Sequence, residues 1–359
     1  MKALARAQVQ DEVPVGGQFE AAAHNFYPYE GDIVDAMISR TSIMVAAARA
    51  FGSREPDESL RNPDNLADKL IGPDELALIA EHPLSKIRQR DYADAFQDPA
   101  IVFLVWSMLA RTRFIDEALR RAVDNGATQV VILGAGFDTR AYRLRDLLGH
   151  CRVIEVDAQE TQEYKRQRLR AATVQAPSNL TYARCDFACE SFSDVLHAAG
   201  YRTDEKTFFI WEGVCMYLPE ASARQTLRMI AAESARGSSV VLDYANQVGI
   251  EIGVKYPQGP LALAALWGEP WIFGVPGGTD GSVFFRELGF EPGELISFSN
   301  LEAIGRYATG KDGRMYGAAV FQRMQANASS APMPEMTDEQ KDVLRKGAHW
   351  IAELYNSRS

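Results

Sequence analysis

The chain reads as an α/β protein: a doubly wound, mostly parallel sheet with a helical segment before it and a long insertion after the fifth strand. Three observations predict this. The β-branched apolar run QVVIL (129–133) ends in Gly134-Ala135-Gly136 and opens into a helix-like segment, the strand–turn–helix start of a nucleotide-cofactor fold. From residue 129 onward, short apolar stretches alternate with segments of helical spacing. Before residue 129 the alternation is absent and only helical spacing is found.

Taken in order, residues 1–20 are polar, with Pro14, Gly16 and Gly17, and read as a flexible N-terminus. Residues 21–126 read as a helical cap. Within it, 33–51 carries apolar residues at helical spacing with many alanines, 52–64 is a loop rich in Pro, Asp and Asn, and 73–125 is helical with breaks near Pro83 and Pro99. The core is expected over 127–325. Its strands fall at 129–133, 151–157, 180–186, 207–213 and 238–245, with helices at 141–148, 159–172, 191–199 and 220–236. Pro219 stands before the last of these, where the first helical turn tolerates it. Residues 246–280, with several Gly, Pro and Trp, form an insertion that reads as a lid or substrate wall. A helix at 282–288 and strands near 294–298 and 315–323 are expected to complete the sheet. Residues 326–359 read as a linker followed by an amphipathic helix over 337–355, and no internal repeat is visible.

The formal net charge of -10 argues against a nucleic-acid or membrane-surface binder, which needs a cationic face. No apolar run approaches the roughly 20 residues that cross a bilayer. The first residues lack a signal peptide's apolar middle, so a cytoplasmic protein is expected. Cys151, Cys185, Cys189 and Cys215 read as buried small hydrophobes. The five histidines are scattered and form no H-x-x-x-H pair, so no metal is expected.

Ligands of such a sheet lie across the carboxyl ends of its strands. Strand one ends in Gly134, Ala135 and Gly136, and glycine removes Cβ atoms where a ligand must lie against backbone. Thr139 stands where the dinucleotide fingerprint has its third glycine. That disfavours a pyrophosphate and favours a mononucleoside with a charged amino-acid tail, such as S-adenosylmethionine. Strand two ends at Asp157, about 20 residues on, where a ribose-binding acid belongs. Strand three ends at Asp186-Phe187, an acid for the adenine amino group and a ring to cover the base. Strand four ends at Glu212-Gly213, whose carboxylate can face the ammonium of the tail. Singly, each acid reads equally well as a helix cap or a surface charge; the ordered set is the stronger signal. Asp138 is balanced between this site and capping the helix near Thr139.

The segments LGAGFDTRAYRL, VIEVDAQETQEYKRQRL, RCDFA and WEGVCMYLPE, in that order, with ARTRFID (110–116) upstream, resemble the leucine carboxyl methyltransferase-like family of S-adenosylmethionine-dependent O-methyltransferases, in its bacterial and polyketide-pathway branch. The resemblance is good over residues 39–213 and loose beyond. It implies a class I methyltransferase, Rossmann-like fold with a helical N-terminal cap, and S-adenosylmethionine as cofactor. Carried over by position, it implies Arg111 for the cofactor's carboxylate, with Arg113 as the neighbouring candidate. It implies Gly134, Ala135 and Gly136 for the glycine loop, Asp157 for the ribose, Asp186 and Phe187 for adenine, and Glu212 as the acid after strand four. Tyr217 matches a tyrosine close to the methyl-transfer site. The competing readings are a surface salt bridge of Arg111 with Asp116 or Glu117 and a core position for Tyr217. Members that act on a protein C-terminus carry a lysine in the cap. Here the segment reads SRTSIMVAAARA, where only Arg40 or Arg49 offers a cation. That difference and the unfamiliar insertion weaken the case for a protein substrate.

A sulfonium methyl is already electrophilic, so such an enzyme mainly holds a nucleophile in line and excludes water. A carboxylate, with an unperturbed pKa of about 4, is ionised at neutral pH, whereas a phenol at about 10 needs a base. His24, His82, His150, His197 and His349 stand in no motif that nominates one. A small-molecule carboxylate in secondary metabolism is therefore the expected acceptor, ahead of a phenol or other hydroxyl. Tyr256, Trp267, Trp271 and Phe273 of the insertion suit a flat apolar substrate, or equally a local cluster that anchors the insertion. An NAD-dependent oxidoreductase would share the first turn and Asp157 but leaves RCDFA and WEGVCMYL unexplained. A non-methylating S-adenosylmethionine-binding protein would keep every cofactor position. Oligomeric state is open.

Overall fold

The strands are β1 (Gln129–Leu133), β2 (Arg152–Asp157), β3 (Leu180–Arg184), β4 (Thr207–Trp211), β5 (Ser239–Ala245), β6 (Phe290–Ser297) and β7 (His349–Asn356). They form one sheet in the order β3-β2-β1-β4-β5-β7-β6. The structure is a computed structural model that describes residues 38–95, 98–185, 191–255, 260–276, 280–297, 336–338, 340–342 and 349–357. β1 to β5 pair in parallel, as the alternating pattern predicts. β1, β4 and β5 are buried along their whole length, the condition of central strands in a sheet covered on both faces. Strand order reverses between β1 and β4, so the crevice at their carboxyl ends is the place where ligands of such sheets bind.

Upstream of the sheet the described residues are helical or looped. Ser39 caps the helix Arg40–Gly52 by accepting from the Ser42 N–H at 3.0 Å. This helix packs against the 26-residue helix Pro99–Asp124. The apolar residues of the long helix recur at helical spacing, which buries Phe114, Ile115, Ala118 and Leu119 on one side. The insertion carries two short helices, Gln247–Gly253 and Pro260–Leu266, and then returns to the body. Val275 N–H donates to Ala245 O at 2.8 Å and Ile272 N–H donates to Met216 O at 2.8 Å. No helix among the described residues is long and apolar enough to cross a membrane.

The chain's end differs from the expectation. The amphipathic helix expected over 337–355 is replaced from residue 349 by a strand, β7, antiparallel to both β5 and β6. HWIAELYN supports helix and strand about equally by local preference. Tertiary context decides: β5 is apolar and buried on both faces, and its outer edge needs hydrogen-bond partners. β7 supplies them along the whole of β5, from Ser239 opposite Tyr355 to Ala245 opposite His349. The strand expected near 294–298 starts earlier, at Phe290, with a register shift between Pro292 and Leu295. The strand expected at 315–323 lies outside the described residues.

Candidate active site

The glycine turn after β1 uses the freedom of its glycines. Gly134 has φ +61° and Gly136 has φ +39°, left-handed values that L side chains resist. A Cβ at Gly134 would also strike Val214, in the turn after β4. The two strand ends flanking the crevice are thus packed directly together. Ala135 N–H donates to Val156 O at 3.1 Å, tying the turn to β2. Asp157, the last residue of β2, accepts from the Gly136 N–H and from the Ala158 N–H. Burial pushes its carboxyl pKa up, against the pull of those two backbone donors.

Glu212, directly after β4, lies at the centre of a buried charge cluster. Its carboxylate meets Arg49 from the helix Arg40–Gly52, Arg111 from the helix Pro99–Asp124 at 2.7 Å, and Arg140 from the turn after β1 at 2.7 Å. Arg111 Nη1 also donates to Asp243 of β5 at 2.8 Å. Arg140 donates to Asp138 and, through Nε, to Asp116 at 2.8 Å. Arg143 forms a two-pronged pair with Asp116 at 2.7 and 2.6 Å. Arg49 reaches Asp64 at 3.7 Å. Burial opposes the charge on Glu212, yet Arg49, Arg111 and Arg140 outweigh it and hold the carboxyl well below its ordinary range. Several guanidinium N–H groups remain without an acceptor although buried: Nε of Arg49, Nη2 of Arg140 and Nε of Arg143. Buried unpaired donors are rare, and here they gather in one crevice.

The residues singled out in the sequence fall in different places around this cluster. Arg111 points into the crevice, whereas Arg113 donates outward to Ser59 O and Arg61 O at 2.7 and 3.0 Å. Asp116 pairs with Arg140 and Arg143, not with Arg111. Arg49 enters the cluster through its guanidinium; the backbone N–H of Arg40 donates to Glu269 at 2.6 Å. Asp138 accepts from the Arg140 backbone N–H at 2.7 Å and from the Arg140 side chain. Thr139 hydrogen-bonds Asp64. Asp186, Phe187, Cys189 and Tyr256 lie outside the described residues. Cys151, Cys185 and Cys215 are buried.

Tyr217, in the turn after β4, donates to Thr41 Oγ1 at 3.2 Å. Burial is the main force pushing its phenol up to about 12. Trp271 of the insertion stands edge-on to it, ring centres 6.4 Å apart, and edge-on to His349 of β7 at 5.3 Å. His349 Nε2 lies 3.2 Å from Asp243 Oδ2. The insertion is fastened by Glu269, which accepts from Ser39 Oγ at 2.8 Å, from the N–H groups of Arg40 and Thr41 at 2.6 and 3.2 Å, and from the Thr41 hydroxyl. A carboxylate at a helix N-terminus is favoured by the unsatisfied N–H groups there. Phe273 is buried in the core, and Trp267 is buried with its indole N–H on Glu81 at 3.1 Å, so both anchor the insertion. Of the described aromatics of the insertion, only Trp271 joins the group around Tyr217.

The leucine carboxyl methyltransferase family model matches residues 42–231, more than half of the chain. The chain belongs to the leucine carboxyl methyltransferase family. As a member it is an S-adenosylmethionine-dependent methyltransferase. Among curated relatives, it is 32% identical over 247 residues to "Putative S-adenosyl-L-methionine-dependent methyltransferase YktD" of Bacillus subtilis (strain 168), spanning 65% of this chain and 80% of that protein. It is 31% identical over 208 residues to a "Putative S-adenosyl-L-methionine-dependent methyltransferase" of Mycolicibacterium vanbaalenii, spanning 58% of this chain and 67% of that one. A similarly described Streptomyces coelicolor protein, SCO7813, is 32% identical over 63% of this chain and 76% of its own length.

In this member of the leucine carboxyl methyltransferase family, sequence reasoning missed Arg140, Arg143, Asp243 and His349. For Asp243 a signal existed: a lone acid inside the otherwise apolar β5 must find a partner when buried. Arg140 stands inside the quoted GAGFDTR segment, but nothing local says that it turns back toward Glu212. Beneath the site, Lys165 pairs with Glu155 at 2.9 Å, both fully buried. Burial lifts the Glu155 carboxyl to about 7 despite that lysine.

Proposed function

We propose that this chain transfers the methyl group of S-adenosylmethionine to an oxygen of a small-molecule acceptor, with a carboxylate as the preferred acceptor. One observation carries the reading: among the described residues the buried cluster holds four guanidiniums (Arg49, Arg111, Arg140, Arg143) against five carboxylates (Asp64, Asp116, Asp138, Glu212, Asp243), one negative charge in excess. The cofactor carries one net positive charge and supplies an electrophilic methyl group when bound.

The chain's residues divide the work accordingly. The acceptor-less N–H groups of Arg49 and Arg140 suit a carboxylate, with Arg111 beside them. Arg49 is the cation of the helix Arg40–Gly52 that reaches Glu212. Glu212 and Asp138 suit an ammonium once the guanidiniums turn to that carboxylate. Asp157 uses one lone pair of each oxygen on a backbone N–H and keeps others for ribose hydroxyls. Asp186 and Phe187 are assigned to adenine on the motif alone. Tyr217 stays protonated at neutral pH, so it orients by donating a hydrogen bond and takes no proton. A carboxylate acceptor arrives ionised and needs no base. Trp271 and the latched insertion exclude water from the transfer.

A hydroxyl acceptor is the second reading, favoured by one observation, the placement of His349 against Asp243. Calorimetry with S-adenosylmethionine and S-adenosylhomocysteine, followed by methyl-labelled cofactor with a panel of small acids and phenols, tests the proposal. Saturable binding and label in an alkali-labile ester are the expected results. Absence of binding overturns it.

A further inference from the structure

A cavity of about 460 Å³ lies apart from the charge cluster, between the end of the helix Gln159–Ala171 and β3 at the edge of the sheet. That volume is within the range of small-molecule sites. Its lining includes buried Leu169 and the tyrosines Tyr142 and Tyr182, which hydrogen-bond each other through their hydroxyls. Burial pushes both phenols up, so both stay protonated at neutral pH. Only one of the two protons is spent between them. Whichever hydroxyl donates, the other keeps an O–H with no protein acceptor among the described residues.

Two exposed guanidiniums complete the wall. Arg166 stands over the Tyr182 ring, 4.6 Å from its centre, and Arg170 follows one helical turn later. Among the described residues neither has a carboxylate partner, and no acid lines the cavity. On the same helix Arg168 does find one, Glu75 at 3.2 Å. The charges beside the two rings, Glu155 opposite Tyr182 and Lys165 near Tyr142, pair with each other and cancel. The helix stop adds a further observation. Val174 N–H donates to Leu169 O and Thr173 N–H to Arg170 O, both at 2.9 Å, the bonding of a stop that favours glycine. Threonine stands there instead, at φ +58°, and it is the one described residue other than glycine with a left-handed backbone. Thr173 lines the cavity, so the local rule is broken at its wall.

We infer that this cavity binds a small aromatic carboxylate, at a site separate from the methyl-transfer crevice. The flat body packs on Leu169 and the tyrosine rings. The carboxylate meets the guanidinium forks of Arg166 and Arg170, whose planar donors match its two oxygens, and accepts the spare phenolic hydrogen bond. A free phosphate would satisfy the cations but leave the apolar wall in water.

Calorimetry on the full chain with S-adenosylhomocysteine present, using 2-naphthoate and its neutral amide as probes, tests the inference. Saturable one-site binding of 2-naphthoate is expected, with the amide weaker by about tenfold or more. R166Q/R170Q should weaken 2-naphthoate by about tenfold or more and leave the S-adenosylhomocysteine affinity and the melting midpoint unchanged. Tyr182→Phe should weaken it by about threefold or more. Thr173→Gly should melt higher, because the strain is gone, and bind 2-naphthoate less tightly. Absence of saturable binding, or equal affinity for the amide, overturns the inference. So does undiminished binding in R166Q/R170Q, which would place the probe elsewhere on the molecule. The methyltransferase reading stands or falls separately, on S-adenosylhomocysteine binding.

Discussion

Replacing Glu212 by glutamine puts the charge cluster to its hardest test. The side chain is 7% exposed and meets three guanidiniums. Arg111 would keep Asp243, and Arg140 would keep Asp138 and Asp116. Arg49 would keep only Asp64, at 3.7 Å. Removing one partner of a buried ion pair costs about 3–5 kcal/mol, because the charge left behind stays buried. Against a typical stability of about 5–15 kcal/mol, Glu212→Gln should be the most damaging isosteric change in the crevice. Urea unfolding at pH 7.5 measures it as a fall in midpoint at constant slope. Adding Arg49→Met removes the stranded cation, so the double variant should be less unstable than the sum of the singles by about 1 kcal/mol or more. The pH dependence has a definite sign. The folded carboxyl is held below its unfolded value, so its stabilisation is present above about 4.3 and is lost as pH falls further; the gap between wild type and variant should narrow there. A cost under about 1 kcal/mol, strict additivity, or a gap that widens in acid would refute the reasoning.

Three further outcomes follow from the same structure. Lys165→Met leaves Glu155 buried without its cation. Because that carboxyl is already raised to about 7, its stabilising contribution is full below its unfolded value and is lost as pH rises, so the variant should melt lower at pH 9 than at pH 5 relative to wild type. Thermal melts at the two pH values check this, and a larger deficit in acid would contradict it. Asp157→Asn should weaken S-adenosylhomocysteine binding in calorimetry by about tenfold or more, since one of two charged acceptors becomes a donor. Unchanged affinity would remove Asp157 from the site. Glu269→Gln should cost about 0.5–2 kcal/mol and speed hydrogen exchange at residues 260–276 more than in the sheet. Uniform exchange would mean that Glu269 does not fasten the insertion.

The parallel half of the sheet was legible because β1, β4 and β5 are continuous apolar runs that only a covered sheet accommodates. Asp157 at the end of β2 and Glu212 after β4 could be picked out because position at a strand end carries its own meaning. Their partners were not. Arg49, Arg111 and Arg140 lie up to 163 residues from Glu212 along the chain, and no local pattern encodes which guanidinium a carboxylate will meet. β7 was illegible for a related reason. Its eight residues become a strand because β5 offers an unpaired edge, a fact of the assembled fold. The misread helix hid His349 as well, since on a helix it would not have been carried to the mouth of the crevice.

The late arrival of β7 has a consequence for how the molecule is made. β5 is complete by Ala245, yet its neighbour begins more than a hundred positions later, at His349. Until that neighbour docks, a seven-residue ribbon rich in valine, leucine and tyrosine stands open to any other nascent copy. Fewer nascent copies at one time, or a lower expression temperature, should raise the yield of folded protein, because the open edge then meets fewer partners before β7 docks.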